Sequence, residues 1–232
     1  MMKKSYILCL VVLAALVTAL PEVPRAAMWV GAEIGGNFTK RTDIEFAPGV
    51  GLAQFYVKPS VIGGVTLGYD FVNSGFLAYS WPDWMKYFSF ALDLTYNRMD
   101  IPAQDRLSRI FNTPGLNFRG YAVAWTFLFM AHYSFLCDDE IPSGRINPYF
   151  GIGPAILFSG IDAGSLGIGS SSATNVALVV EPGIRWMALK NVSIDTALRY
   201  RYAAPEYGFG STNIQVSPLH IFTFLVRANY HF

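Results

Sequence analysis

The sequence has few charged residues and no excess of either sign. Of its 232 residues only 14% are charged, and 17 basic against 16 acidic side chains leave a formal net charge of +1. Such a chain has no overall field that would attract nucleic acid or another polyanion. We therefore expect no nucleic-acid partner.

Cysteines are equally scarce. Cys9 lies in the N-terminal apolar stretch, and Cys137 is the only other cysteine. If the N-terminal stretch is removed on export, the mature chain cannot form an internal disulfide. The fold must then be stabilised by other interactions.

Long apolar runs are also nearly absent. A helical membrane protein would need further runs of about 18 or more apolar residues. Only residues 120–137 come close, and they include Thr126, His132 and Ser134 among many β-branched and aromatic side chains, which favours an alternating strand. Yet 53% of the residues are hydrophobic and 16% aromatic, which indicates membrane contact.

The N-terminus has the pattern of a secretory signal peptide. Lys3 and Lys4 supply positive charge, and residues 6–17 form an uncharged apolar stretch too short to span a bilayer comfortably. Cleavage after Ala19 and after Ala27 both remain open. The length of the remaining chain suits one domain. The predicted organisation is a signal peptide over residues 1–27 and one barrel domain over residues 28–232.

Bulky apolar residues alternate with small or polar residues along the whole remaining chain. In one segment, for example, Leu92 and Leu94 alternate with Asp93 and Thr95. This period of two sends successive side chains to opposite faces of a strand. The predicted strands cover residues 29–38, 61–71, 88–97, 121–134, 146–158, 176–186, 192–202 and 222–232.

The contents of the two faces distinguish a membrane barrel from a soluble β-sandwich, which would also alternate. One face is bulky and aromatic, while the other is small, polar or charged, as expected for lipid outside and a packed polar interior. Each segment is long enough for a tilted crossing. We predict an all-β fold, an eight-stranded antiparallel up-and-down transmembrane β-barrel.

The connections between the predicted strands differ in length. Residues 189–191 form a short turn of the kind expected on the periplasmic side. The predicted extracellular loops cover residues 40–60, 100–119, 159–172 and 203–216.

Two features fit this scheme less simply. Residues 73–86 are long for a periplasmic turn, and we expect Tyr79, Trp81 and Trp84 in an interfacial aromatic belt. The prolines within strands five and six predict β-bulges, because a proline lacks a backbone donor. These prolines are Pro148, Pro154 and Pro182.

Four short motifs occur in a characteristic order: residues 28–38 (MWVGAEIGGNF), residues 148–153 (PYFGIG), residues 191–202 and the ending Tyr230-His231-Phe232. Together they resemble the OmpA-type outer-membrane β-barrel superfamily over residues 28–232. The resemblance implies a Gram-negative outer-membrane protein surrounded by lipid and lipopolysaccharide. It also implies a C-terminal signal for the barrel-assembly machinery, formed by Val226, Ala228, Tyr230 and Phe232. We expect no peptidoglycan-binding domain after the last strand.

Nine charged side chains are predicted to point into the barrel. Strand eight must pair with strand one, so five of them, Glu33, Glu181, Asp195, Arg199 and Arg227, are expected to meet near mid-height. Buried charges are stable only when paired, which favours a structural salt-bridge network; a narrow conducting path is the alternative. The full set is Glu33, Asp70, Asp93, Glu181, Asp195, Arg185, Arg199, Arg201 and Arg227.

The leading functional hypothesis is a non-enzymatic surface protein whose extracellular loops mediate adhesion or bind a ligand. A small porin-like channel is the second hypothesis. A lipid-modifying hydrolase is the third, because His132 and Ser134 lie two residues apart on one strand face, although such an enzyme also needs an orienting carboxylate. No catalytic residue, metal ion or cofactor is expected: residues 138–140 are acidic but lack calcium-loop spacing.

Overall fold

In the computed structural model, twelve strands make up most of the described chain. The structure describes residues 28–45, 53–71, 81–103, 117–142, 144–162, 170–204, 206–209, 212–216 and 218–232. Within this part of the chain, no helix has the length and apolar character needed to cross a membrane. The strands are β1 (Met28–Thr39), β2 (Thr42–Glu45), β3 (Ala53–Phe55), β4 (Ser60–Asp70), β5 (Phe88–Arg98), β6 (Arg119–His132), β7 (Ile146–Asp162), β8 (Ser170–Leu189), β9 (Val192–Ala203), β10 (Glu206–Phe209), β11 (Thr212–Val216) and β12 (Leu219–His231), with a 3-10 helix at Asp83–Tyr87.

Eight of these strands close into an antiparallel barrel in the order β1-β12-β9-β8-β7-β6-β5-β4. Strand β1 pairs with both β12 and β4, so the barrel leaves no open edge in the membrane. Following the strand register once around the barrel leads from Trp29 to Thr39, ten residues further along β1, so the strands are tilted. The predicted fold class is confirmed.

The predicted alternation of faces is confirmed on all eight barrel strands. Side chains predicted to face outward are exposed or half-buried, and most inward side chains of the same strands are buried. A continuous apolar band of this kind would be unstable in water, but it suits a lipid environment. One exposed apolar side chain from each strand illustrates the band: Ile34, Val65, Leu94, Trp125, Ile152, Leu178, Leu198 and Phe224.

The two ends of the barrel differ. We call the end that carries Met28 and Phe232 the turn end, because only Lys190 and Asn191 separate β8 from β9 there, and the opposite end the loop end. Aromatic side chains cluster at the turn end, which matches the expected belt. Trp81 packs against Phe71 at 5.1 Å and Trp84 against Phe88 at 5.8 Å between ring centroids, while Tyr79 lies outside the described residues.

The prediction of bulges at the prolines is wrong. The β6–β7 and β7–β8 registers run unshifted past Pro148, Pro154 and Pro182, and the irregularity of the β8–β9 pairing lies elsewhere, between Met187 and Leu189. In an antiparallel ladder each residue bonds to one neighbouring strand only, so a proline affects one ladder. The β6–β7 ladder skips the pair opposite Pro154, and the β8–β9 ladder skips Pro182, without a change of register. The missing N–H donor of the proline therefore leaves a local gap in the ladder, and no extra residue is inserted as in a bulge.

Beyond the loop end, the remaining four strands form a second sheet in the order β10-β11-β2-β3. Strands β2 and β3 come from the β1–β4 connection, and β10 and β11 come from the β9–β12 connection. The two hairpins are joined by the pairs Ile44–Val216 and Glu45–Gln215. This sheet was not expected from the predicted loops 40–60 and 203–216. The predicted loop 159–172 is also too long, because β7 continues to Asp162 and β8 begins at Ser170.

A charge placed on the outer face tests the lipid-facing band. Leu198 lies in the middle of β9 and is 61% exposed, whereas Leu189 ends β8 at the turn end and is 59% exposed. We expect Leu198→Arg to lower the free energy of unfolding by about 2–4 kcal/mol and Leu189→Arg by about 0–1 kcal/mol, because the cost of an arginine falls from the bilayer centre to its surface. Equilibrium unfolding in urea, in lipid vesicles, measures both; equal costs would contradict this placement.

Candidate functional site

Five charged side chains from five strands meet in the middle of the barrel. Glu33 on β1, Asp93 on β5, Glu181 on β8, Arg199 on β9 and Arg227 on β12 all point inward, because each occupies the inward phase of its strand. We call these five residues the central cluster. It contains three carboxylates and two guanidinium groups, and each of the five residues is at most 5% exposed.

Arg227 contacts all three carboxylates of the central cluster through one nitrogen. Its Nη2 donates to Glu33 Oε2 at 2.8 Å, to Glu181 Oε1 at 3.2 Å and to Asp93 Oδ2 at 3.3 Å. Its Nε also donates to Glu33 Oε2 at 3.0 Å. The guanidinium group of β12 thus connects three other strands, among them β5 on the opposite wall of the barrel.

Arg199 contacts the same three carboxylates from the other side. Its Nε donates to Glu181 Oε2 at 2.5 Å, its Nη2 donates to Asp93, and its Nη1 lies 3.7 Å from Glu33 Oε1. Tyr149 adds a neutral donor, since its hydroxyl lies 3.0 Å from Glu181 Oε1. Each charge of the cluster therefore has a partner of opposite sign, which is the condition for burying charge, although Glu33 Oε1 and Arg199 Nη1 accept or donate no hydrogen bond among the described residues.

A second group of charges lies nearer the turn end. Arg185 donates from Nε to Asp195 Oδ2 at 3.3 Å, and its Nη1 lies 3.5 Å from Asp70 Oδ1. The guanidinium of Arg185 also lies 4.5 Å from the ring centroid of Trp29, whose Nε1 donates to Asp70 at 3.2 Å. We call Asp70, Arg185, Asp195 and Trp29 the Arg185 group. Arg227 Nη1 lies 3.8 Å from Asp195 and links the group to the central cluster.

Two inward glycines make room for the large rings beside these charges. A Cβ at Gly68 would lie 2.0 Å from Cε2 of Trp29, and one at Gly183 would lie 2.4 Å from Cζ of Tyr149. Such distances are impossible for a real side chain, so both positions require glycine while the rings stay in place. The narrow interior can hold the Trp29 and Tyr149 rings only because the paired residues on the neighbouring strands β4 and β8 carry no side chain.

Arg201 is the one predicted charge that the structure leaves outside the network. It is 1% exposed, it forms no ion pair with any described residue, and its Nε and Nη2 have no hydrogen-bond partner among them. Its register neighbours on β8 and β12 are Val179 and Ile221. Arg201 therefore lies on the apolar side of the cluster, toward the loop end.

The interior on the loop-end side of the central cluster is occupied by apolar side chains together with small polar ones such as Asn37, Asn97 and Thr223. The apolar ones belong to the hydrophobic core cluster of the barrel. Together with the central cluster they fill the barrel, as the small interior of an eight-stranded barrel allows. The buried apolar residues of this region include Val57, Met99, Ile101, Leu157, Leu219 and Ile221.

The structure brings together eight of the nine predicted lumen charges. The five that meet in the central cluster are not the same five that were expected to meet at mid-height. Asp93 was missing from that set although it contacts both arginines, and Asp195 belongs mainly to the Arg185 group. The period of two shows that Asp93 points inward, but not the height at which it meets other strands. That height depends on the register around the whole barrel.

Of the other predicted residues, the His132 and Ser134 pair lies at the turn end, and the assembly signal runs from the middle of β12 to the turn end. His132 and Ser134, the candidate hydrolytic pair, line a cavity at the turn end. A nucleophile acting on membrane lipid would have to face the lipid or the rim of the barrel.

The proposed assembly signal lies on the outer face of β12 and just after it, where a partner in the membrane would meet it. Val226, Ala228 and Tyr230 are exposed and Phe232 is half-buried.

Comparison with known proteins identifies the fold. No protein-family model matches this sequence, and no curated protein sequence is significantly similar to it. Among solved structures, OprG from Pseudomonas aeruginosa, an outer membrane protein, matches with a TM-score of 0.61 at 13% identity, over 90% of this chain and 97% of that one. Neisserial surface protein A matches with a TM-score of 0.50 at 17% identity, over 90% of this chain and 99% of that one.

The chain has the fold of the small eight-stranded β-barrels of the bacterial outer membrane. The resemblance to OmpA-type barrels is confirmed at this level. The structural neighbours are outer-membrane proteins, which supports the predicted location in the outer membrane. At identities this low the likeness concerns the fold alone, so the role of the chain has to be argued from its own residues.

Two buried arginines on β9 provide a matched test of the charge network. Arg199→Met leaves three carboxylates facing one arginine, and we expect it to lower the free energy of unfolding by about 3–5 kcal/mol. Arg201→Met removes a buried charge that pairs with no described carboxylate, so we expect a change of less than about 1 kcal/mol or a gain in stability. Urea unfolding of both variants in vesicles gives the comparison. A larger loss for Arg201→Met would show that the assignment of partners is wrong.

Proposed function

We propose that the chain is a non-enzymatic surface protein of the outer membrane, in which a filled barrel carries an extracellular β-sheet. The observation behind this proposal is the sheet β10-β11-β2-β3. It joins two connections that lie far apart in the sequence through backbone pairs. An ordered sheet of this kind offers a defined surface for adhesion or for binding a ligand, as loops on rigid scaffolds commonly do.

The proposal places the turn end in the periplasm and the loop end outside the cell. Short turns on the periplasmic side and longer connections outside are usual for such barrels. Residues 1–27 would act as the export signal, and the outer face of β12 would present Val226, Ala228, Tyr230 and Phe232 to the barrel-assembly machinery. Lipid and lipopolysaccharide would surround the exposed apolar band.

The filled interior supports a scaffold rather than a channel. The central cluster is buried and cross-linked between opposite walls, and buried apolar and small polar side chains occupy the space toward the loop end. An ion passing along the axis would have to break contacts between buried charges, each of which costs several kcal/mol. The barrel therefore suits anchoring of the sheet better than conduction.

Labelling of single cysteines on intact cells tests the orientation. Cys137 is exposed at the turn end, and Lys58 is exposed at the loop end. In a Cys9→Ala background, we expect a membrane-impermeant maleimide to label Lys58→Cys/Cys137→Ser on intact cells. The matched control that keeps Cys137 should be labelled only after the outer membrane is permeabilised. The reverse pattern would place the sheet in the periplasm and end the proposal.

Conductance in planar bilayers distinguishes the scaffold from the porin-like alternative. We expect the purified protein to give no reproducible single-channel steps, because the interior is filled. Steps of constant size that change when Arg199 or Arg227 is replaced would favour a channel through the central cluster and contradict the proposal.

A further inference from the structure

A cavity of about 440 Å³ opens at the turn end beside the Arg185 group. It is lined by side chains from β4, β5, β6, β7, β8 and β12 and from the neighbouring connections. Its volume lies within the range of small-molecule sites. Nothing in the proposed role of the extracellular sheet accounts for this cavity, since it lies at the opposite end of the barrel.

The lining of the cavity carries an excess of positive charge. Arg185 forms part of the wall, and Lys86 and Lys190 add two further positive charges, while Asp70 is the only carboxylate among the described residues of the lining. With the histidines neutral, the excess is two positive charges. A concave surface with charge of one sign concentrates ions of the opposite sign.

The nearby β6–β7 connection carries three acidic residues, Asp138, Asp139 and Glu140, none of which lines the cavity. Asp138 and Glu140 both bond to Arg145, the latter at 2.7 Å, and neither of them lines the cavity. The backbone N–H of Ile141 and the Arg145 guanidinium hold the pKa of Asp138 below its ordinary value. Asp138, Glu140 and Arg145 thus pair with one another within their own turn.

Arg185 supplies a second indication of a ligand. Its side chain is 8% exposed, and two of its nitrogens are engaged by Asp195 and Asp70. Its buried Nη2 has no hydrogen-bond partner in the described part of the chain. A buried charged donor without an acceptor is costly, and Arg185 forms part of the cavity wall, so a turn of its side chain toward the cavity would bring this covered donor to an acceptor there.

We propose that this cavity binds a phosphate group. A phosphate monoester carries about −1.5 to −2 charges at neutral pH, which matches the excess of two positive charges, whereas a single carboxylate would not. Its oxygens can accept hydrogen bonds from a guanidinium and from lysines together. The group can belong to a soluble phosphorylated molecule or to a lipid headgroup, since Tyr87 and Tyr133 place part of the lining at the aromatic rim.

Titration with inorganic phosphate tests the site. The full-length barrel, in a maltoside detergent free of phosphate, is followed by calorimetry and by the NMR shifts of turn-end residues. We expect saturable binding that Lys86→Gln and Lys190→Gln each weaken by roughly fivefold, the loss of about 1 kcal/mol that one exposed charge contact supplies. Both lysines lie outside the central cluster, so these variants should fold. Lys40→Gln and Lys58→Gln, at the loop end, are the controls and should leave binding unchanged.

A second arm separates the two sources of phosphate. The protein is placed in nanodiscs of phosphatidylcholine with or without phosphatidic acid. Shifts of turn-end residues on adding phosphatidic acid alone indicate a lipid headgroup, and shifts that need inorganic phosphate indicate a soluble ligand. The inference is overturned if neither arm gives saturable binding, or if Lys58→Gln weakens it as much as Lys190→Gln does. It does not depend on the role of the extracellular sheet, which cysteine labelling tests separately.

Discussion

The pairing of three carboxylates with two guanidinium groups inside the barrel is the constraint on which the rest of the structure depends. Closing eight strands leaves an interior just wide enough for side chains, so the inward charges cannot keep their water. Arg199 and Arg227 each contact Glu33, Asp93 and Glu181, so loss of either arginine leaves a buried charge short of partners. Because these contacts join β5 to β8, β9 and β12, the cluster also holds opposite walls of the barrel together.

The interior is layered along the barrel axis. A layer of apolar and small polar side chains lies toward the loop end, the central cluster lies in the middle, and the Arg185 group and the electropositive cavity follow toward the turn end. Arg201 is buried beside apolar side chains and belongs to neither group of paired charges. The outer face shows the opposite arrangement, because lipid accepts the apolar side chains that water would reject.

Because side chains fill the middle of the barrel, the two ends are the parts that can interact with other molecules. Backbone pairing between two distant connections builds a sheet at one end, and the other end keeps an open, positively charged cavity. The ends are separated by the filled interior, so each can interact with a different compartment. Structures of similar fold include outer-membrane proteins only 13% and 17% identical to this chain, which shows how far the barrel tolerates sequence change once the alternation is kept.

The sequence by itself determined the strands and the side of each strand that faces inward, because the pleat of a strand sends alternate side chains to opposite faces whatever their partners. Glu33, Asp93 and Arg227 could be placed in the interior on this basis alone. Only the tertiary structure decided which of them meet, because the height of an inward residue depends on the register summed around the closed barrel. The register also determines that Asp93, on the opposite wall, reaches the central cluster, whereas Arg201 does not. The sheet at the loop end also required the folded chain, since strands of three to five residues carry too short a pattern to show a partner so distant in sequence.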